Sequence, residues 1–153
     1  MMIIRGHFFY QQHNKSIITV VACIHPGNYF YFGGKEMEKG FYTALGTPLD
    51  ENGNFIPGSM ANQIEQQIEA GASGLLVMGS MGQMTYIKQN EYAKVAAESV
   101  KAAKGRVPVL VGVTDVSIHR VMDRVEALKD IDGIDGIVST VPYYAVVSQD
   151  NIY

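Results

Sequence analysis

The sequence has one cysteine, no tryptophan and a small negative net charge, and each of these shortages excludes a class of protein. The lone cysteine, Cys23, excludes an internal disulfide and favours a reducing compartment, so we expect a cytoplasmic protein. A net charge of −3 provides no basic surface for nucleic acid or anionic lipid. No apolar run reaches the roughly 18 residues of a transmembrane helix. The remaining expectation is a soluble globular protein whose 153 residues suffice for one domain.

The composition changes near residue 37. Residues 1–36 hold seven of the 15 aromatic residues but only four charged ones. One interpretation is a short secretion signal, in which the apolar run at 16–22 precedes a lipoprotein-like Cys23. The interpretation we favour is a translated leader, because "GGKEM" at 33–37 back-translates to a purine-rich, ribosome-binding-like tract directly before the codon of Met37. We therefore predict that residues 1–36 are a non-native or disordered leader and that the domain spans residues 37–153.

From residue 37 onward, apolar runs alternate with segments of helical periodicity. The predicted strands are 41–48, 73–80, 107–113 and 133–141. Three helices are expected between them, and their predicted caps are Ser59, Thr85, and either Ser117 or Asp115. The order β-α-β-α-β-α-β indicates parallel strands with right-handed crossovers. An open doubly wound sheet and half of a (β/α)8 TIM barrel both fit; a whole barrel needs about 250 residues, so the second requires that the chain be cut near its middle.

In both architectures, ligands bind beyond the carboxyl ends of the parallel strands. One such end carries the segment "VMGSMGQM" at 77–84, and the others are at residues 47–48, 114–115 and 142–144. Glycines flanking Ser80 let the backbone approach a ligand and direct successive N–H groups at an anion. The loop therefore suits a small carboxylate or phosphate, although a plain tight turn explains the glycines equally well. It matches neither the G-x-G-x-x-G spacing nor a P-loop.

Four segments, in this order along the chain, resemble the dihydrodipicolinate synthase / N-acetylneuraminate lyase family. They are "GFYTALGTPLDENGNF", "GSMGQ", "GRVPVLVGV" and "VPYY....SQDNIY". The resemblance runs from Gly40 to Tyr153 and covers the N-terminal half of a family member. It implies a (β/α)8 TIM barrel truncated to about its first four βα units. It also implies a class I aldolase, usually a homo-oligomer, in which a lysine forms a Schiff base with pyruvate before an aldehyde reacts.

The resemblance assigns roles to individual residues. Ser80 matches the first of two hydroxyl residues that bind the pyruvate carboxylate, whereas Met81 matches the second and lacks the hydroxyl. Gln83 replaces the usual glutamate of the same loop. We take Thr47, at the end of the first strand, together with Ser80 and Met81, as the candidate substrate-binding residues. Tyr144 matches a family tyrosine that joins a hydroxyl relay in a neighbouring subunit's site, and a packing role at an interface explains it equally well.

A Schiff-base lysine must lie at a strand's carboxyl end, where desolvation lowers its pKa. None of the lysines after Met37 has that position in the predicted pattern; they are Lys39, Lys88, Lys94, Lys101, Lys104 and Lys129. The sequence thus predicts a lyase fragment that is inactive by itself and contains no cofactor or metal site.

Two alternatives remain open. The first is a standalone α/β module that binds a small carboxylate or phosphate between Gly79 and Gly82. The second is a half barrel that a separately encoded chain completes. We expect a half barrel to leave its first and fourth strands as open, apolar edges, and such edges favour pairing with another chain.

Overall fold

The computed structural model describes residues 40–140 and three short strands that precede them. The strands are β1 (Thr19–Val21), β2 (Tyr31–Phe32), β3 (Lys35–Glu36), β4 (Tyr42–Ala44), β5 (Gly74–Val77), β6 (Val109–Gly112) and β7 (Gly136–Ser139). The helices are α1 (Pro57–Glu69), α2 (Gln89–Ala103) and α3 (Ile118–Leu128). Tyr144 and the predicted strand end at 142–144 lie outside the described residues.

A parallel sheet with the order β1-β7-β6-β5-β4 organises the domain. Its last four strands are those predicted from the sequence, and each pairs with its neighbour in parallel register. A helix follows each of β4, β5 and β6, so the β/α alternation is confirmed. Because parallel strands end at the same edge, the carboxyl ends of these four strands lie side by side.

The edges of this sheet differ from the expectation for a half barrel. β1 pairs in parallel with β7, with Thr19 opposite Ile137 and Val21 opposite Ser139. The prediction that the fourth strand has an open edge is therefore wrong, because a strand from the segment before residue 37 covers it. At the other side, β4 is the last strand of the sheet. The interpretation of residues 1–36 as a leader stays a prediction.

Two of the predicted helix caps are wrong. α1 begins at Pro57, whose fixed φ suits the first helical turn and whose missing N–H is not needed there. Ser59 consequently lies inside the helix. Thr85 lies in a series of turns, and α2 starts four residues later, at Gln89. Ser117 does cap α3, since its hydroxyl accepts a hydrogen bond from the backbone N–H of Arg120 at 3.4 Å.

The hydrophobic core lies between the sheet and the helices. β5 and β6 contribute alternate residues such as Leu75 and Val109, which are paired in register, and the helices contribute Met60, Ile64 and Val95. Burial of each such side chain contributes about 1.5–3 kcal/mol. Among the described residues, no helix has the length and apolar character needed to cross a membrane.

The opposite face of the sheet is less well covered. Register places Ala44 beside Leu76, and Leu76 beside Leu110, all on this face. Ala44 is exposed and Leu76 is half-buried, whereas Leu110 in the middle of the sheet is buried. The helices therefore cover one side of the sheet more completely than the other.

Candidate functional site

The loop that follows β5 is held in a compact turn. The N–H of Gln83 donates to the carbonyl of Ser80 at 3.2 Å, and the N–H of Met84 donates to the carbonyl of Gly79 at 3.3 Å. The left-handed positions are Met78, with φ of 54°, and Gln83, with φ of 55°. Neither Gly79 nor Gly82 has a positive φ, so the alternative of a plain tight turn with glycines chosen for φ does not explain them.

Gly82 is instead required for close approach, whereas a Cβ at Gly79 would meet nothing nearer than the Leu76 side chain at 3.5 Å. A Cβ at Gly82 would lie 2.8 Å from the backbone N and Cα of Met78, nearer than any real Cβ contact. A Cβ at Gly112, the last residue of β6, would lie 2.3 Å from the carbonyl oxygen of Met78. The loop is thus folded back on its own start and rests against the end of the neighbouring strand. We refer to residues 78–84 as the glycine loop.

Thr47 connects the glycine loop to the first predicted strand end. Its side chain is buried, with 5% exposed, and its Oγ1 donates a hydrogen bond to the carbonyl of Gly82 at 2.6 Å. The two residues are 35 positions apart in the sequence. The structure therefore brings Thr47 into the same site as the glycine loop.

The ends of β6 and β7 are joined in a similar way. The backbone N–H of Thr140 donates to Oγ1 of Thr114 at 3.0 Å, and the two hydroxyl oxygens are 3.4 Å apart. Thr114 itself is buried. Polar groups from all four strand ends consequently line one edge of the sheet, where a (β/α)8 barrel binds its ligands.

A buried charged cluster lies next to this edge. Arg124 of α3 is 2.8 Å from Oδ2 of Asp115, and its guanidinium carbon lies 5.0 Å from the centre of the Tyr92 ring. Arg120 donates to the other carboxylate oxygen of Asp115 at 2.8 Å. Burial acts to raise the pKa of the Asp115 carboxyl, but the hydrogen bonds from Arg120 and Val116 and the charge of Arg124 leave this pKa below its ordinary value.

Tyr92 and Arg124 also bind the backbone of the strand ends. The Tyr92 hydroxyl donates to the carbonyl of Gly112, and burial raises the pKa of this phenol, so it stays protonated as a donor. Arg124 Nη1 donates to the carbonyl of Thr114. Its Nη2 lies 3.4 Å from the carbonyl of Met84, at the end of the glycine loop.

Sequence reasoning missed these two residues. The spacing of apolar residues predicts only that Tyr92 lies on the apolar face of a helix, and it predicts no role for Arg124. A signal for Arg124 was present, since it lies at i+3 from Val121 and at i−4 from Leu128, in the middle of an apolar helical face. A charged residue at such a position needs a buried partner.

The other predicted site residues lie at the surface. Ser80 is exposed at the tip of the glycine loop, and Met81 is 68% exposed beside it. Their main-chain and side-chain groups are therefore accessible to a small molecule at the strand ends. Within residues 40–140, no group of three or more His, Cys, Asp or Glu side chains could hold a metal ion.

The described lysine side chains lie on helices or at their ends. Lys94 pairs with Glu91 at 2.7 Å, and Lys101 pairs with Glu98 at 3.2 Å, each within α2. Lys88, just before α2, donates to Oδ1 of Asn54 at 2.9 Å. Lys104 and Lys129 are the residues that follow α2 and α3. No lysine among residues 40–140 follows the carboxyl end of a strand.

Comparison with known proteins gives one consistent result. A 4-hydroxy-tetrahydrodipicolinate synthase from Ligilactobacillus salivarius is 35% identical over 102 residues, which are 67% of this chain and 35% of that protein. The synthase from Porphyromonas gingivalis is 31% identical over 115 residues, which are 75% of this chain and 38% of that protein. The chain thus spans less than two fifths of the length of these relatives.

Comparison with solved structures points to the same family as the sequence relatives. Dihydrodipicolinate synthase from Aquifex aeolicus superposes with a TM-score of 0.69 at 31% identity, covering 76% of this chain and 39% of that one. A prophage protein of the dihydrodipicolinic acid synthase family from E. coli K12, in complex with pyruvate, gives a TM-score of 0.68 at 28% identity, covering 74% and 38%. The predicted fold class, a (β/α)8 barrel represented by its first βα units, is confirmed.

A family profile matches most of the chain. The Dihydrodipicolinate synthetase family matches residues 37–153, so the match begins at Met37 and includes the glycine loop and every strand end described above. Because this match extends over more than half of the sequence and agrees with the sheet, the loop and the relatives, the chain belongs to the dihydrodipicolinate synthetase family.

Proposed function

We propose that this chain provides the carboxylate-binding part of the active site of a pyruvate-dependent Schiff-base lyase or synthase. The relatives from Ligilactobacillus salivarius and Porphyromonas gingivalis are 4-hydroxy-tetrahydrodipicolinate synthases, and the related E. coli protein was solved with pyruvate. In the complete reaction, pyruvate condenses with an aldehyde or is released from the condensed product. The proposed chemistry needs no cofactor, because the amine of a lysine activates the pyruvate.

The observation that carries this proposal is the hydrogen bond from Thr47 to the carbonyl of Gly82. It fixes the glycine loop at the edge where the strands end, with the Ser80 hydroxyl exposed at its tip. A fixed turn of this kind presents backbone N–H groups to an anion without the cost of ordering a mobile loop. We propose that Ser80 and these N–H groups bind the carboxylate, whereas the Met81 side chain contributes no hydrogen bond and lies at the side of the ligand.

The Schiff-base amine is proposed to come from a part of the barrel other than residues 40–140. The ammonium groups of Lys88, Lys94 and Lys101 already have oxygen partners on the helical side of the sheet. An amine that attacks a carbonyl must instead be desolvated and close to the ligand. The chain by itself should therefore bind pyruvate weakly and form no covalent adduct.

Tyr144 and assembly into homo-oligomers stay predictions of the family resemblance, and a cytoplasmic location stays a prediction from the lone cysteine. The alternative of a standalone anion-binding module is not favoured, because the matches are to one family of larger enzymes. A Schiff-base lysine at the site is the feature that distinguishes an aldolase from such a module.

Two measurements on the full 153-residue chain test the proposal. Titration with pyruvate, followed by amide chemical shifts, should perturb the glycine loop, and Ser80→Ala should weaken the binding. Ser59→Ala is the matched control, because Ser59 is equally exposed but lies on α1. Perturbations that are absent from the loop, or identical in the Ser80 and Ser59 variants, would refute the proposed carboxylate site.

The second measurement is chemical trapping. The chain is incubated with pyruvate and borohydride, and its mass is then determined. We expect the unmodified mass, since no lysine among residues 40–140 follows the carboxyl end of a strand. A trapped adduct would show that a lysine of this chain reaches the site and would overturn the assignment of the amine to another part of the barrel.

A further inference from the structure

Arg124 combines deep burial with an unusual number of partners. It is 5% exposed, and its guanidinium contacts the carbonyl oxygens of Thr114 and Met84, the carboxylate of Asp115 and the ring of Tyr92. Its Nε is buried and has no hydrogen-bond partner among the described residues. Burial of a guanidinium with one donor unsatisfied costs free energy, and a buried ion pair is often no more stabilising than an apolar replacement.

The partners of Arg124 show which parts of the site the buried guanidinium connects. Met84 closes the glycine loop, and Thr114 follows β6. The Thr114 hydroxyl in turn accepts the N–H of Thr140, at the end of β7. The guanidinium of Arg124 therefore holds the glycine loop to the end of β6, and Thr114 holds the end of β6 to the end of β7.

Arg120 provides a useful contrast, because it shares Asp115 with Arg124. Its side chain is 62% exposed, and its guanidinium donates its hydrogen bond to the carboxylate of Asp115. A lysine could replace such a contact, since one ammonium satisfies one carboxylate. No lysine can replace Arg124, because an ammonium lacks the planar fork of N–H donors that reaches two carbonyls and a carboxylate at once.

We propose that Arg124 is a positioning residue that fixes the glycine loop against the ends of β6 and β7, and thereby sets the affinity of the loop for a carboxylate. This inference rests on the proposed pyruvate site for its ligand, but its structural part concerns the loop alone. Arg124 does not contact the ligand; it acts through Met84 and Thr114.

The test compares Arg124→Lys with Arg120→Lys in the full chain. Hydrogen exchange is measured for the amides of the glycine loop and for those of β5 and β6. We expect Arg124→Lys to exchange about tenfold faster in the loop, as for the loss of one charge-assisted hydrogen bond, with β5 and β6 little changed. Its dissociation constant for pyruvate should rise by a similar factor. Arg120→Lys should match the wild type in both measurements.

A double variant covers the case in which Arg124→Lys fails to fold. Arg124→Met with Asp115→Asn removes both buried charges together and leaves only the exposed Arg120 without its ion-pair partner, so the fold is expected to survive. It too should show fast exchange confined to the loop. Unchanged loop exchange, or exchange that rises equally in β5 and β6, would overturn the inference. Altered loop exchange in a chain whose wild type does not bind pyruvate would support the positioning role and refute the proposed function.

Discussion

Thr47→Val is the most direct test of how the glycine loop is held. The substitution keeps the side-chain volume but removes the hydroxyl that donates to the carbonyl of Gly82 at 2.6 Å. Gly82 is buried, so its carbonyl oxygen would lose its partner without gaining water. Leaving a buried acceptor unsatisfied costs about 1–3 kcal/mol. We therefore expect the free energy of unfolding to fall by about 1–3 kcal/mol.

Thr43 provides a matched control in the same segment. Its Oγ1 is also buried but has no hydrogen-bond partner among the described residues. Thr43→Val makes the same chemical change and removes a hydroxyl that was desolvated without compensation. The free energy of unfolding should then stay constant or increase by on the order of 1 kcal/mol. Only Thr47→Val is therefore expected to lower the free energy of unfolding.

Urea unfolding of the full chain, followed by far-UV circular dichroism, measures both variants. With a urea dependence of about 1–3 kcal/mol per molar, Thr47→Val should lower the midpoint by on the order of 1 M. Thr47→Ser retains the hydroxyl and should recover most of the loss. If Thr47→Val and Thr43→Val shift the midpoint in the same direction and to the same extent, the bond to Gly82 does not hold the loop.

Two further predictions concern packing and pH. Gly82→Ala should destabilise the chain by about 1–3 kcal/mol, because its Cβ would meet the Met78 backbone at 2.8 Å. Gly58→Ala in α1, where the Cβ meets nothing within 4 Å, should stabilise it by about 0.5–1 kcal/mol. Equal effects of the two variants in thermal unfolding would refute this prediction. The pKa of Asp115 is lower in the folded state than its ordinary 3.8, so its stabilising contribution is complete above that pH and is lost on acidification. Asp115→Asn should consequently flatten the decline of unfolding free energy between about pH 5 and pH 2, and parallel curves would contradict the assignment.

The order of the elements could be predicted from the sequence because local patterns determine it. β6 reads "VLVG" within a longer apolar run, and all four of its residues are buried, as expected for a strand in the middle of a parallel sheet. The helix starts were predicted less well. Ser59 and Thr85 have the right chemistry for caps, but Pro57 begins α1 earlier, and the turns of the glycine loop delay α2 to Gln89. In both cases a neighbouring residue or segment, rather than the capping preference of the serine or threonine, determines where the helix begins.

The site residues likewise differ in whether local sequence patterns predict them. The glycine loop and Thr47 were identified from the sequence because they stand at the ends of apolar runs. The reason for Gly82 could not be predicted, since it depends on the distance to Met78 in the folded loop rather than on the φ of the glycine. The contacts of Arg124 with Met84 and Thr114 join residues 40 and 10 positions apart, and no local pattern encodes such contacts.

The edge of β7 imposes a condition on any completion of the barrel. A strand has two edges, and β7 uses one for β6 and the other for β1. A further barrel strand that pairs with β7 must therefore take the place of β1. β1 has three residue pairs with β7, whereas a barrel strand brings a following helix that covers its outer face. The helix adds apolar burial that a three-residue strand lacks, so a barrel strand pairs with β7 more stably than β1 does. We therefore expect β1 to pair with β7 only when no such barrel strand is present.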